Sequence, residues 1–409
     1  MALETEMIAA VDIGTSKVAA VIGELTETGV RVRGSGTAQT RGFGTGEVSD
    51  IDALAVSIRS ALDEAELMAQ QEVRSAYLTI AAKTKRGISG RGALMLPGRR
   101  VSENDVGRVI DVARGPAPGP DEVYLHTLVR EFVVDGVEGI ESPVGMEASQ
   151  IEALVHVVRA PSRTVSNCVR ALERSRLKVD GVVLEVLAAS YAVLDPAERE
   201  AGVVVLEMGA GTTSLAIWYR GVLVHNATIP CAGDSITADV VVGIGCPTDV
   251  AERLKVDYGT ASAARADARE TAEITGRHGR RTAPVSRGFL AAIIEPRIME
   301  ILRVVRREIE LSGYQDLIRA GYVLTGGTAA LREVADVAQE VLDAPVRVGL
   351  PTEIEGYVDL VKQPHYAAAV GTLQYVAGGE DAGWMFPQRE QTVKNRFRTA
   401  LQQFLRRIL

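Results

Sequence analysis

Two stretches of the chain carry the same pattern of apolar and polar positions. Residues 7–25 read MIAAVDIGTSKVAAVIGEL, and residues 202–221 read GVVVLEMGAGTTSLAIWYRG. Each has an apolar run, an acid, one more apolar residue, a glycine-containing turn with hydroxyls, and a second apolar run. The enrichment in Val and Ile on both sides of each turn predicts strand–turn–strand. The acids, Asp12 and Glu207, stand 195 positions apart. A P-loop would run from strand through turn into helix and would close on Gly-Lys-Ser/Thr, which neither stretch does. Taken singly, each is an ordinary hairpin with glycine at its bend. Two matching hairpins can face each other across a cleft, hold phosphates between their backbone N–H groups and hydroxyls, and use an acid to organise Mg²⁺ or water.

Other segments suit the same cleft. VLTGGTAAL at 323–331 predicts a buried strand, a Gly-Gly turn and a helix, with Gly326 and Gly327 allowing close approach to a flat ligand. CAGDSIT at 231–237 puts Gly233 at another possible close approach. DVAERLKVDYG at 249–259 predicts a helix on which Glu252 and Lys255 share a face at i and i+3, either as a solvated pair or reaching a ribose.

Composition narrows the function classes. The 409 residues, 46% hydrophobic and 24% charged, suit two or three globular domains. A net charge of −8 and a pI near 5.4 argue against a nucleic-acid binder, and the lone basic run RHGRR within the polar stretch 265–288 predicts a solvated loop. The N-terminal apolar run is too short for a secretory signal, and no uncharged stretch reaches the roughly 20 residues of a membrane span. Three cysteines, Cys168, Cys231 and Cys246, lack paired metal-ligand spacing and predict reduced thiols in a cytoplasm.

The C-terminus departs from this acidic body. Residues 391–409, QTVKNRFRTALQQFLRRIL, hold five Lys or Arg and no acid. At 100° per residue, Val393, Phe397, Ala400, Leu401, Phe404, Leu405 and Ile408 fall within an arc of roughly 140°. Arg396, Arg398 and Arg407 flank it, Arg406 lies opposite, and Lys394 sits where its stem could snorkel. The pattern predicts an amphipathic helix lying in a membrane interface rich in anionic lipid, after a linker at 379–390.

The hairpins and the Gly-Gly turn resemble the actin/Hsp70/sugar-kinase ATPase fold. Within it, DIGTSKVAAVIGE, RGFGTGEVSDIDAL, LHTLVREFVVDGVEGIESPVGM, LKVDGVVLEVLAASYAVL, IIEPR, VLTGG and PHYAAAVG resemble the FtsA family of bacterial cell-division proteins from residue 8 to about 375. The stretch 83–160 is the discriminating one, since actin, Hsp70 and MreB have nothing like it there. The resemblance implies an α/β, actin-like two-domain fold with duplicated ribonuclease-H-like halves. Subdomain 1A would comprise 1–82, 161–200 and 358–378. Subdomain 1C would be the insertion 83–160, 2A would hold 201–228 and 293–357, and 2B would hold 229–292.

It also implies ATP and Mg²⁺. Asp12, Gly14, Thr15, Ser16 and Lys17 would form the first phosphate loop, and Gly209, Gly211 and Thr212 the second. Glu252 and Lys255 would lie beside the adenosine, backed by Gly326, Gly327 and Thr328. Asp12 and Glu207 would hold the metal through water, and Glu185 matches the acid that orients the attacking water, followed here by Val186 in place of Pro; a partly exposed helix acid is the plainer reading of it. Glu207 stands where the family usually has Asp, and Ser214 where it often has a second Asp. The longer side chain predicts weak or absent hydrolysis with binding retained. The implied partners are the C-terminal tail peptide of the tubulin-like protein FtsZ (for which Arg287 and Arg297 are candidate contacts, or else ordinary ion-pair residues), further copies of the chain in a filament, other division proteins through 1C, and anionic lipid. The implied location is the cytoplasmic face of the membrane at the division septum, peripherally bound. A sugar kinase on the same fold and a pilus-assembly relative are the competing readings; a sugar-side base is missing for the first, and the basic terminus separates the chain from the second.

Overall fold

The structure is a computed structural model and describes residues 6–27, 29–81, 87–267, 269–272 and 284–378. The linker expected at 379–390, the helix expected at 391–409, and the RHGRR run lie outside the described residues.

Both sequence repeats are hairpins. Strand Met7–Ile13 pairs antiparallel with Lys17–Thr26, from Met7 opposite Glu24 to Ile13 opposite Val18. Strand Val203–Met208 pairs the same way with Thr213–Tyr219, from Val203 opposite Trp218 to Met208 opposite Thr213. Each hairpin is extended on one side by a third antiparallel strand, Gly29–Gln39 or Val222–Ile229. On the other side, two parallel strands join each: Ser75–Ile80 and Lys178–Leu184 in the first sheet, Tyr322–Thr325 and Val346–Val348 in the second. The strand order 3-2-1-4-5 is therefore the same in both halves, with Ile354–Gly356 added at one edge of the first. The central strands are apolar throughout because helices cover both faces of such sheets; all six residues of Val203–Met208 are buried.

Two short helices, Glu185–Val193 and Ala367–Ala377, run between the sheets. They cross where Gly371 lies over Ala188: a β-carbon on Gly371 would fall 1.9 Å from the Ala188 carbonyl oxygen. Only the absence of a side chain permits so close a crossing. The second half also carries helices Gly233–Ile244 and Thr248–Tyr258 and the long helix Arg287–Ser312.

A separate unit follows strand Ser75–Ile80. Its four antiparallel strands, in the order Ile88–Arg100, Glu147–Pro161, Glu122–Val134 and Val137–Ile140, share a core with helix Glu103–Arg114 built on Leu96, Val109, Ile151 and Val155. Ser102 and Asp105 form a capping box at the start of that helix, and the Arg99 guanidinium donates two hydrogen bonds of 2.7 Å to Asp105. These bonds hold the Asp105 carboxyl well below the usual carboxylate range.

Buried histidines join this unit to both halves. His126 Nε2 accepts the Leu184 N–H at 3.0 Å, just before helix Glu185–Val193. His156 Nε2 donates to Asn226 Oδ1 at 2.8 Å, on the edge strand of the second sheet, and the Gly87 N–H donates to the Asn226 carbonyl at 3.1 Å. Burial pushes His126 down to about 3 and His156 to about 4, so both imidazoles stay neutral.

Candidate nucleotide site

The tips of the two hairpins are built alike. The Gly14 N–H donates to the Lys17 carbonyl at 3.0 Å, and the Gly209 N–H to the Thr212 carbonyl at 3.0 Å. A threonine hydroxyl from elsewhere steadies each tip: Thr40 Oγ1 donates to the Gly14 carbonyl at 2.8 Å, and Thr328 Oγ1 to the Gly209 carbonyl at 2.7 Å. The tips meet at Gly211, where a β-carbon would come within 2.6 Å of Thr15 Oγ1.

Between them opens a cavity of about 540 Å³, lined by residues of both halves. On one side stand Asp12, Gly14, Thr15, Ser16 and Lys17; on the other, Glu207, Gly209, Ala210 and Thr212; Glu185 enters from the connecting helix, and Glu252, Lys255, Gly327 and Thr328 from the second half. The expected site residues that do not line it sit directly behind. Gly211 packs on Thr15. The Gly233 N–H donates to the Gly209 carbonyl at 3.2 Å. Gly326 has φ +85°, and a β-carbon there would fall 2.4 Å from Glu207 Oε1; it is the bend that lets the 323–331 segment pass behind Glu207.

Two alternatives left open by the sequence close. Glu185 is not a partly exposed helix acid: it is 5% exposed, because it opens the helix that runs inward between the sheets. Lys255 is not half of a solvated pair. It is buried, its ammonium 2.7 Å from Glu252 and donating to the Gly233 carbonyl at 3.1 Å and Thr237 Oγ1 at 2.9 Å. The sequence reading also missed Gln363, just before PHYAAAVG, and His365 and Tyr366 within it, which line the cavity. The Lys17 ammonium lies 4.7 Å from the centre of the Tyr366 ring. Thr37, Ala81, Ile236, Val256, Ala330 and Leu331 complete the wall.

Three acids and one lysine thus share a buried space. Burial pushes the Asp12 carboxyl up to about 7 against the pull of Lys17. Burial and then the Asp12 charge push Glu207 up to about 8. Burial, with the Glu207 and Asp12 charges behind it, holds Glu185 well above the carboxylate range. Burial lowers Lys17 to about 8, with Asp12 and Glu207 opposing, and burial and Lys17 lower His365 to about 4. Burial is the largest cause throughout, and repulsion between carboxylates adds to it at Glu185 and Glu207. Asp12 Oδ1, Glu185 Oε2 and Glu207 Oε2 are buried without a hydrogen-bond partner. Such orphaned oxygens suit a cation with its water shell, which would satisfy them and offset their repulsion. No three His, Cys, Asp or Glu among the described residues are placed to grip a metal directly.

Arg287 and Arg297 lie outside this cavity. Arg287 is buried and ion-paired to Glu270, while Arg297 grips Asp239 at 2.6 and 3.0 Å and Glu300 at 2.5 Å.

A family model described as "Cell division protein FtsA" matches residues 204–371, and another, "SHS2 domain inserted in FTSA", matches 83–159. The cell division protein FtsA of Pseudomonas aeruginosa is 40% identical over 371 residues, covering 90% of this chain and 89% of that protein. The chain belongs to the FtsA family of cell-division proteins. The Escherichia coli FtsA is 35% identical over 382 residues, covering 91% of each chain. Among solved structures, a chain of the PilM–PilN type IV pilus biogenesis complex aligns with TM-score 0.64 at 18% identity, covering 90% of this chain and 97% of its own. MreB 5 of Spiroplasma citri bound to AMPPNP aligns at 0.54 and 15%, covering 97% and 100%. The four-stranded inserted unit coincides with the SHS2 match, and the duplicated halves give the chain its actin-like fold.

Proposed function

We propose that this chain binds ATP with Mg²⁺ in the cleft, polymerises, and tethers FtsZ filaments to the inner face of the cytoplasmic membrane at the division septum, where it recruits later division proteins. The observation that carries the nucleotide reading is the pair of like-built hairpin tips facing each other over orphaned buried carboxylate oxygens. A dication supplies charge to neutralise those oxygens and the phosphates. Thr15, Ser16 and Lys17 from one tip and Gly209, Gly211 and Thr212 from the other hold the phosphates. Glu252, Lys255 and Gly233 flank the adenosine, and Gly326, Gly327 and Thr328 back it. Asp12 and Glu207 would hold the metal through its waters, a bound dication would supply positive charge that favours the ionised carboxylates, and Glu185 would orient the attacking water.

Glu207 weakens that chemistry. Its extra methylene moves the carboxylate at the point where metal and water must be placed, and a misplacement near 1 Å costs about a hundredfold in rate. ATP therefore acts mainly as a structural and switching ligand. The acids lining the cleft, Asp12, Glu185, Glu207 and Glu252, all have roles in this scheme, which leaves none among the described lining residues as a base for a sugar hydroxyl.

The same reading keeps the division into 1A (1–82, 161–200, 358–378), 1C (83–160), 2A (201–228, 293–357) and 2B (229–292). Subdomain 1C serves polymer contacts and later division proteins. The acidic tail of FtsZ meets 2B and helix Arg287–Ser312, where it competes for Arg287 and Arg297 with their present partners Glu270, Asp239 and Glu300. Residues 391–409 lie on anionic lipid, with Phe397, Leu401, Phe404, Leu405 and Ile408 facing the acyl chains and Lys394, Arg396, Arg398 and Arg407 the headgroups. Among the described residues no helix is long and apolar enough to cross a membrane. High-speed sedimentation of the full chain with and without Mg²⁺·ATP tests the polymer: pelleting that depends on nucleotide supports it, and equal supernatants at all concentrations refute it.

A further inference from the structure

Lys17 serves the first hairpin tip in two ways. Its carbonyl accepts the Gly14 N–H and closes the turn, and its side chain enters the cleft. Among the described residues its ammonium forms no ion pair; Asp12 and Glu207 act on it only as charges at a distance. What it meets is the face of Tyr366, with the ring centre 4.7 Å away. The negative face of a ring attracts a cation, the more so where water is excluded. A ring covers only one side of an ammonium, so N–H donors remain for a ligand on the other side.

Tyr366 is built to fix the lysine rather than follow it. Its ring is buried in the core of the first half, immediately before helix Ala367–Ala377. The short turn that carries it, Pro364–Tyr366, is tied to the second half: the Pro364 carbonyl accepts the Gly326 N–H and the Thr325 hydroxyl, both at 3.1 Å. Thr325 is the strand partner of Glu207. A ring packed in one half and anchored to the other thus meets a lysine from the hairpin tip. A free lysine stem is flexible and loses that freedom when it grips a phosphate.

We propose that Tyr366 is the positioning residue for Lys17: its ring holds the ammonium at the cleft wall, aligned for a nucleotide phosphate, and its tie to Thr325 and Gly326 makes that alignment depend on how the two halves meet. The inference rests on the reading of the cleft as a nucleotide site. Because the lysine is ordered before the ligand arrives, the ligand binds more tightly than it would to a free lysine. The ring does this, and the phenol hydroxyl is dispensable.

The test begins with the full chain without nucleotide, its lysines given isotope-labelled methyl groups that keep the charge, and Lys17→Arg identifies the Lys17 signal by NMR. That signal should be displaced upfield by the ring, should return towards the other lysines in Tyr366→Leu, and should stay displaced in Tyr366→Phe. Affinity of the unmodified chain for Mg²⁺·ATP, read by calorimetry, should fall severalfold in Tyr366→Leu and hold in Tyr366→Phe. It should fall no further when Tyr366→Leu is added to Lys17→Met. An undisplaced Lys17 signal in the parent overturns the proposal whether or not ATP binds, and that reading needs no Tyr366 variant to fold. Equal losses of affinity from Tyr366→Leu with and without Lys17 also overturn it, since the ring would then act on its own. A displaced signal in a chain that binds no Mg²⁺·ATP refutes the nucleotide reading instead and leaves Lys17 aligned for no phosphate.

Discussion

Asp12 and Glu207 occupy the same place in two copies of one structural unit. Each is the penultimate residue of the first strand of its hairpin, each is buried, and each is paired in parallel register with a threonine, Thr79 for Asp12 and Thr325 for Glu207. The Asp12 charge reaches Glu207 and adds to the effect of burial in raising its pKa. The two side chains differ by one methylene, so one half of the duplicated site departs from the other at the position where metal and water would be held.

That difference has a kinetic consequence. Mg²⁺·ATP should stabilise the fold by mass action, by about 2.7 kcal/mol at a hundredfold excess over Kd, and so raise the melting temperature. Phosphate release should be slow or undetectable, and Glu207→Asp should raise it while leaving the melting shift intact. An unchanged melting curve at millimolar ATP would sink the binding claim, and rapid release by the parent would sink the role given to Glu207.

His126 and His156 give a pH dependence with a definite sign. Their folded pKa values, about 3 and about 4, lie below the unfolded value of 6.5. Above pH 6.5 both states are neutral and the stability is fully present. As pH falls towards 4 the unfolded chain takes up protons that the folded chain refuses, and stability is lost. The groups facing the pair, Arg130, His225, Asn226 and Glu308, act on the same joint. His126→Gln, which keeps an acceptor for the Leu184 N–H, should melt with a shallower dependence between pH 6.5 and 4.5 than the parent. Identical slopes would count against the burial argument.

At the crossing of the two connecting helices, Gly371→Ala puts a methyl group onto the Ala188 carbonyl. Overpacking of this kind costs about 1–3 kcal/mol. The variant should unfold at lower denaturant concentration with unchanged slope, and its ATP-induced stabilisation should shrink because the helices carry Glu185. A variant as stable as the parent would show that the helices can part freely.

Reversing Arg297 to Glu removes the partner of Asp239 and sets like charges together, so it should weaken binding of an acidic FtsZ tail peptide severalfold. Arg306→Glu on the same helix, where Arg306 pairs with Glu310, is the control for lost surface charge. Equal peptide affinity in parent and Arg297→Glu would move the docking site elsewhere.

Much of this was legible in the sequence for a local reason. The hairpins write their period and turn into consecutive residues, and Asp12 and Glu207 stand at matching places in them. The remainder depends on contacts between distant segments. Nothing local to Glu185 shows that its helix runs inward under Gly371, so the sequence left a helix-surface acid open beside the water-orienting role that the resemblance implies. The pair Glu252 and Lys255 has the spacing of countless solvated pairs; only the nearby Gly233 carbonyl and Thr237 bury the lysine. Gln363, His365 and Tyr366 come to the cleft at the end of a long excursion through the second half, and QPHYAAAVG carried no chemical pattern to mark them. The joint of His156 with Asn226 unites residues 70 positions apart.

The central claim is that nucleotide, polymer, membrane and FtsZ meet in one chain, and co-sedimentation tests it most directly. Purified FtsZ filaments are spun with anionic vesicles, Mg²⁺·ATP and either the full chain, a truncation lacking 391–409, or Leu401→Glu with Phe404→Glu. Each Lys or Arg near anionic lipid contributes about 1 kcal/mol, and a polymer multiplies weak tails. The full chain should carry FtsZ down with the vesicles, less in high salt and less without ATP, while both altered chains leave FtsZ unattached yet still gain thermal stability from ATP. FtsZ that reaches the vesicles equally well with the truncated chain would contradict the account.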